Sequence, residues 1–326
     1  MSIVAGAVRK LADIGFLARP ALLCASCTFF FAGVVAAGDL FKRPSWLLLP
    51  LTVLPNFILF VLVVAAAFVI NQIFDVESDR ANRKAFILPS GIITRSESLA
   101  FLCGVTIFAV VLSLRAGPLE RYLVWAGLAL GFAYSVPPIR LKARPIADLV
   151  SNVAGFGIIG FGLGWLAAGG STAGLALHSL PYVLAMAAIF LNTCIPDEVG
   201  DRMAGDRTSC VVFGARAVSR AALVLLFGGV AVSVSVGDSL CALATFASIP
   251  ATIAVAVEPD SRNSVVASQF AARLLFVLIS IRSPVLAVLG VASYVGSKIY
   301  YARRLGLDYP NLRGAQGLKG SPILRR

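Results

Sequence analysis

Long apolar stretches separated by short charged segments recur along almost the whole chain. They fall near residues 20 to 37, 46 to 70, 98 to 114, 119 to 136, 148 to 168, 181 to 195, 217 to 236, 239 to 257 and 271 to 301. A helix needs about 20 residues to cross roughly 30 Å of hydrocarbon, so the pattern predicts an all-α, polytopic membrane bundle of about nine transmembrane helices. The last stretch contains Arg273, Arg282 and Pro284, which leaves open two short crossings or an interfacial segment followed by one crossing. No room remains for a separate soluble domain. Residues 1–326 are therefore expected to form a single transmembrane domain, with a basic tail over 302–326.

Composition agrees with a lipid solvent: the chain has 326 residues, 59% hydrophobic and 13% charged, with a mean hydropathy of +0.89. The net charge of +12 is spread over short segments between apolar runs. That distribution suits topology signals and excludes a nucleic-acid stripe. With a cytoplasmic N-terminus, the segments 71 to 97, 137 to 147, 196 to 216 and 258 to 270 share its side and hold most of the loop Lys and Arg. The positive-inside rule then points these loops to the cytoplasm, as in a cell inner membrane. An odd number of crossings would put the basic tail, with Lys298, Arg303, Arg304, Arg313, Lys319, Arg325 and Arg326, on the other side, against the same rule. The basic opening segment is not followed by a small-residue cleavage site and is expected to be retained.

Three features are expected to be structural. Residues Gly155 to Gly160 match GxGxxG, but the glycines continue as Gly162 and Gly164 within one apolar run, which suits close helix packing rather than a dinucleotide loop. Cys24 and Cys27 spell CxxC inside an apolar run, with no second pair and no nearby histidine. His178 falls in an expected loop on the side opposite the acidic segments, so it is not assigned as a base.

Two acidic segments carry the chemistry. Asn71, Asp75 and Asp79 sit four residues apart at the end of one apolar helix, so a continuing helix puts them on one face. Asp197 and Asp201 repeat the spacing at the end of another, on the same side. Carboxylates at membrane level are costly, and like charges four apart repel, so a cation must offset them. Oxygen ligands that leave positions for water and phosphate suit Mg²⁺. Nearby Arg140, Lys142, Arg144, Arg202 and Arg207 call for an anion as well. About four Asp charges, a diphosphate, two Mg²⁺ and about three Lys or Arg come close to neutral.

These residues resemble the UbiA superfamily of intramembrane aromatic prenyltransferases. The run Asn71-Gln72-Ile73-Phe74-Asp75-Val76-Glu77-Ser78-Asp79 resembles that family's NDxxDxxxD motif, with Gln72 in place of the commoner Asp. Asp197 to Asp201 resembles its DxxxD motif, continued through Arg202, Asp206, Arg207 and Thr208. The segment from Tyr134 to Lys142 resembles the loop between its fourth and fifth helices, and Arg19-Pro20 and Leu88 to Gly91 fit as well. Residues Asn82 to Ile87 depart from the family by lacking its Pro and Arg-Pro, and Gln72 removes one expected carboxylate. The likeness covers about residues 15 to 300 and implies nine helices around a central cavity.

On this reading Asn71, Asp75, Asp79, Asp197 and Asp201 hold Mg²⁺ on an allylic prenyl diphosphate, and Arg140, Lys142 and Arg202 neutralise the remaining charge. Asp75, Asp201 and Lys142 are the expected catalytic residues, with Tyr134 and Asn71 beside the substrate. Phe68, Phe74, Tyr134, Phe156 and Phe190 are candidates to face the allylic cation. The acceptor is expected to be hydrophobic and aromatic. Rival readings are a terpene cyclase, a carotenoid- or lipid-extending enzyme and, more remotely, an ion-coupled transporter.

Overall fold

Prolines and capping side chains punctuate the apolar runs. The computed structural model describes residues 3–38, 51–81 and 87–310. Among the described residues every regular element is helical. Helix α1 spans Ile3–Leu17 and meets α2, Pro20–Ala36, at a 47° bend. Helices α3, Leu54–Ala81, α4, Arg95–Ser113, and α5, Pro118–Ser135, follow as an up-and-down set packed on one another. Thr94 and Glu97 close a reciprocal capping box at the start of α4, and Pro118 opens α5, where its missing N–H costs nothing.

A 3₁₀ turn, Leu141–Ala143, leads to α6, Ala147–Asn152, a π-helical stretch, Val153–Gly160, and α7, Phe161–Ala167, which together make one passage. Helix α8, Thr172–Thr193, is followed by two short helices, α9, Glu198–Met203, and α10, Ser209–Phe213. Helices α11, Ala215–Ser235, α12, Ser239–Val257, α13, Ser261–Arg282, and α14, Pro284–Leu305, complete the bundle. Among the described residues eight helices are long and apolar enough to cross a membrane, and the bent α1/α2 pair makes a ninth; α5, packed along α3, is outside that set and adds a tenth passage. The chain is an integral membrane protein.

Two sequence boundaries move. Helix α8 begins at Thr172, because the Ser171 side chain accepts from Gly174 N and caps it, and Pro181 is carried inside the helix. His178 therefore lies on a helix and not in a loop, stacked on Trp165 at 4.6 Å, in the half of α8 remote from Asp197. The stretch 271 to 301 divides at Ser283 into α13 and α14, where Pro284 cannot continue the hydrogen-bond ladder. The two helices fold back on each other: a Cβ on Gly290 would lie 2.5 Å from the Phe276 ring.

That reversal settles where α14 ends. Tyr300 donates to Asp13 at 2.6 Å and the Arg304 guanidinium makes two bonds of 3.0 Å to the same carboxylate, with Asp13 only 1% exposed. Lys298, Arg303 and Arg304 thus sit at the end of the bundle that holds α1, the end to which α3 delivers its acidic face. With α5 counted the passages number ten, and an even number returns the chain to its starting side, so the conflict between helix count and charge disappears for these residues. Arg313, Lys319, Arg325 and Arg326 lie outside the described residues.

The glycine run works by contact. Helices α2 and α7 cross so closely that a Cβ on Gly33 would stand 2.0 Å from the Phe161 carbonyl oxygen, and one on Gly164 1.9 Å from that of Phe30. Backbone cannot retreat as a side chain can. Gly164→Ala is expected to cost at least about 1–3 kcal/mol by overpacking, read as a lowered thermal midpoint in detergent. An unchanged midpoint would contradict the crossing. Beside it, Phe30, Phe31, Phe57 and Phe60 form one aromatic cluster with centroids 5.3–5.6 Å apart.

Candidate active site

Helix α3 has 28 residues, about 42 Å at 1.5 Å per residue, so its last turns run past the hydrocarbon. There Asn71 and Asp75 share a face, and Asn71 Nδ2 donates to Ser135 Oγ at 3.5 Å. Lys142, from the 3₁₀ turn after α5, forms an ion pair with Asp75, both side chains largely buried. Arg140 pairs with Asp206 from the loop between α9 and α10. Arg207 N donates to the Ala143 carbonyl at 3.1 Å, tying the two loops together.

The firmest tie is Asp148. Its carboxylate is 2% exposed and accepts from Ser209 N and Leu149 N at 2.7 Å each, and from the Ser209 hydroxyl. Ser209 Oγ in turn accepts from Ile146 N at 2.8 Å. The bond to Ser209 anchors Ile146 at φ 67°, and earlier in the same loop Arg140 takes φ 38°, conformations that side-chain-bearing residues rarely adopt.

Two cavities of about 270 Å³ each result. The polar one is edged by Asp75, Arg140 and Lys142 on one side and by Thr193, Cys194, Asp197 and Asp201 on the other, with Asp148, Asp206 and Thr208 between. The apolar one runs between α3, α5 and the π-helical stretch, lined by Phe60, Val63, Phe68, Leu130, Phe156 and Ile159 among others. Asn71 and Tyr134 line both. Asn152 Nδ2 donates to the Tyr134 hydroxyl at 3.2 Å, and Arg19 reaches the apolar side. Beside Cys210, with which it shares a hydrogen bond, and under burial, the Cys194 thiol is pushed up, so it lines the polar cavity as a neutral group.

Of the residues expected from sequence, Asn71, Asp75, Tyr134, Arg140, Lys142, Asp197 and Asp201 come together around the polar cavity. Asp79 and Arg202 do not line it. Asp79, expected as a metal ligand, is a turn farther along α3, buried, with Arg19 4.0 Å away. Arg202, expected on substrate, is paired with Glu198 at 2.8 Å and its side chain is 63% exposed. The reason is angular: successive helical residues turn by about 100°, so if Asp201 faces the cavity Arg202 faces out.

Gln72 follows the same rule. It is 2% exposed and its Nε2 donates to the Leu17 carbonyl at 2.6 Å and the Phe68 carbonyl at 3.1 Å, so the departure from the family motif removes no carboxylate from the cavity. Among the aromatic candidates, Phe68, Tyr134 and Phe156 line the apolar cavity and Phe190 the polar one. Phe74 points outward, 39% exposed, with Arg95 6.0 Å from its ring. Residues 82–86 of the other departure lie outside the described residues. Sequence reasoning missed Asp148, whose only signal was being the one acid in a basic loop. It also gave no role to Asp206, Thr208 or Arg19.

The UbiA prenyltransferase family profile matches residues 25–263, most of the chain and both acidic segments. The chain belongs to the UbiA prenyltransferase family. Among curated UbiA relatives, homogentisate phytyltransferase of Synechocystis sp. is 32% identical over 179 residues, 49% of this chain and 54% of that protein. Lycopene elongase/hydratase of Halobacterium salinarum is 32% identical over 212 residues, 61% of this chain and 67% of that protein. The chain spans about half the length of the first of the curated relatives it matches. A UbiA homologue from Archaeoglobus fulgidus, solved with DMAPP and Mg²⁺, superposes with a TM-score of 0.62 over 82% of this chain and 99% of that one. At 17% identity that likeness establishes the UbiA fold.

Proposed function

We propose that this chain is a Mg²⁺-dependent membrane prenyltransferase that ionises an allylic prenyl diphosphate and transfers the prenyl group to a hydrophobic, aromatic acceptor. One observation carries the reading: a polar and an apolar cavity meet at Asn71 and Tyr134, as a substrate with a charged head and an apolar tail requires. The Archaeoglobus fulgidus homologue with DMAPP and Mg²⁺ supports the head and tail assignment, and the aromatic prenyltransferases among the relatives support the acceptor class.

The donor set fits the metal. Five aspartates edge the polar cavity against two cations, an excess of negative charge that the low-dielectric surroundings do not tolerate alone. Among the described residues no three His, Cys, Asp or Glu side chains converge into a cage. That matches Mg²⁺, which takes one or two carboxylates and completes its shell with water and substrate phosphates. Asn71, Asp75, Asp79, Asp197 and Asp201 are the residues that would hold it, Asp79 from one turn beyond the cavity lining. When bound, Mg²⁺ draws charge from the diphosphate leaving group.

Arg140 and Lys142 bind diphosphate oxygens, and their present partners Asp206 and Asp75 keep them placed. The apolar walls keep water from the allylic cation, whose charge the faces of Phe68, Tyr134 and Phe156 stabilise. The aromatic proton would leave to Asp75, to Asp201 or to the released diphosphate. The two lycopene elongase/hydratase relatives favour a second reading in which the electron-rich acceptor is a polyene, with the same donor site.

We place the whole chain as one membrane domain with the polar cavity on the cytoplasmic side of a cell inner membrane, because the loop cations and the end of α14 gather there. Purified protein in detergent, with no sealed compartment, is expected to release diphosphate from an allylic donor and acceptor, and to stop when Mg²⁺ is chelated. Mg²⁺-independent release, or activity seen only as movement across sealed vesicles, would refute the assignment.

A further inference from the structure

The apolar cavity has a definite far end, and one side chain forms it. Phe60 lies eleven residues before Asn71 on α3, so the distance from the shared mouth to Phe60 is about 16 Å at 1.5 Å per residue. Phe60 is 1% exposed, and it is the member of the phenylalanine cluster that lines the cavity. Behind it stand Phe30, 5.6 Å between centroids, and Phe57, which itself packs on Phe30 and Phe31 at 5.3 and 5.4 Å. On the facing wall its ring edge rests on Gly160: a Cβ there would be 2.9 Å from Phe60 Cε2. The ring is therefore held from two sides and cannot swing aside as an unbranched aliphatic chain would.

The width at that depth is set by a second contact. Gly127 of α5 faces Val63 of α3, and a Cβ added to Gly127 would come 2.7 Å from Val63 Cγ1 and 3.5 Å from Ile159 Cγ2. Both neighbours line the cavity. The missing side chain at Gly127 thus keeps the passage open one turn short of the floor.

Resting on the proposed allylic diphosphate donor, we propose that Phe60 sets donor chain length and Gly127 admits the chain to that depth. An extended isoprenoid advances ~5 Å per five-carbon unit, from carbon–carbon bonds of about 1.5 Å. The cavity then takes about three units, a farnesyl chain, and a fourth unit meets the Phe60 ring.

The test is equilibrium binding of the non-ionising thiolodiphosphates of geranyl, farnesyl and geranylgeranyl alcohols to the full chain in detergent with Mg²⁺, so that no acceptor is needed. The wild type is expected to bind the farnesyl compound tightest and the geranylgeranyl compound at least about tenfold more weakly. Phe60→Ala is expected to raise geranylgeranyl affinity about tenfold and leave geranyl affinity unchanged; Phe60→Leu does the same in part if the alanine variant does not fold. Gly127→Ala is expected to act in the opposite sense, losing farnesyl binding while keeping geranyl. Equal chain-length preference in wild type and all folded variants would overturn the floor and leave the donor site standing. Failure of every thiolodiphosphate to bind the wild type would instead sink the donor reading itself.

Discussion

Asp75→Ala is expected to lower diphosphate release by about a thousandfold while leaving the protein folded. Asp75 is the carboxylate that α3 presents to the polar cavity, since Asp79 lies a turn beyond it and Gln72 faces α1. Its removal takes away a proposed metal ligand and the partner of Lys142 together. Asp75→Asn should lose nearly as much, because the amide keeps the shape and discards the charge. The check is single-turnover release with saturating donor and Mg²⁺, beside a thermal midpoint within a few degrees of wild type. Activity retained in both variants would mean that the cation is held elsewhere.

Lys142→Met carries the second largest expected effect, about a hundredfold in turnover. The ammonium is held against the acidic face of α3 at Asp75, so in the proposed mechanism it meets the diphosphate as charge builds on the leaving oxygen. Lys142→Arg should restore only part of the loss, since a planar fork does not replace a compact point charge in a closed site. Because Lys142 and Asp75 touch, the double variant should lose less than the product of the two single losses. Arg202→Ala is the control: with its guanidinium on Glu198 and turned to solvent, it is expected to leave turnover within about threefold. Additive losses for the pair, or a hundredfold loss at Arg202, would contradict the geometry.

Much of this was legible before any coordinates. Apolar runs of membrane length predict the bundle because a bilayer permits few alternatives. The four-residue spacing of Asn71 and Asp75, and of Asp197 and Asp201, marks helix faces that do meet across one cavity. The glycine run is packing, as its unbroken apolar setting implied. Where the structure places a residue differently from the sequence reading, the reason is definite. Spacing extends a face without saying where the cavity stops: Asp79 lies one turn beyond the lining, with Arg19 4.0 Å away. Proximity in sequence put Arg202 with its neighbour Asp201, although a 100° turn separates them.

Other features needed the third dimension. Asp148 ties the loops together through bonds to Ser209, 61 residues away, and no local pattern announces that. The reversal at Ser283 depends on Pro284 acting as a break between helices, whereas Pro181 and Pro250 are accommodated inside theirs. The return of Arg304 to Asp13 chooses between these behaviours for the last apolar run. That return fits the ten passages that the described residues make once α5 is counted, and an even number removes the apparent conflict with the positive-inside rule.

The most direct test of the central claim is the acceptor dependence of diphosphate release. Purified protein would be incubated with Mg²⁺ and geranyl, farnesyl or geranylgeranyl diphosphate, with and without hydroxylated aromatic acids, and both diphosphate and lipid products measured. The account predicts release that requires an aromatic acceptor, yields its prenylated product and vanishes in Asp75→Ala. Acceptor-independent release with a cyclic product, or no release from any donor, would contradict it.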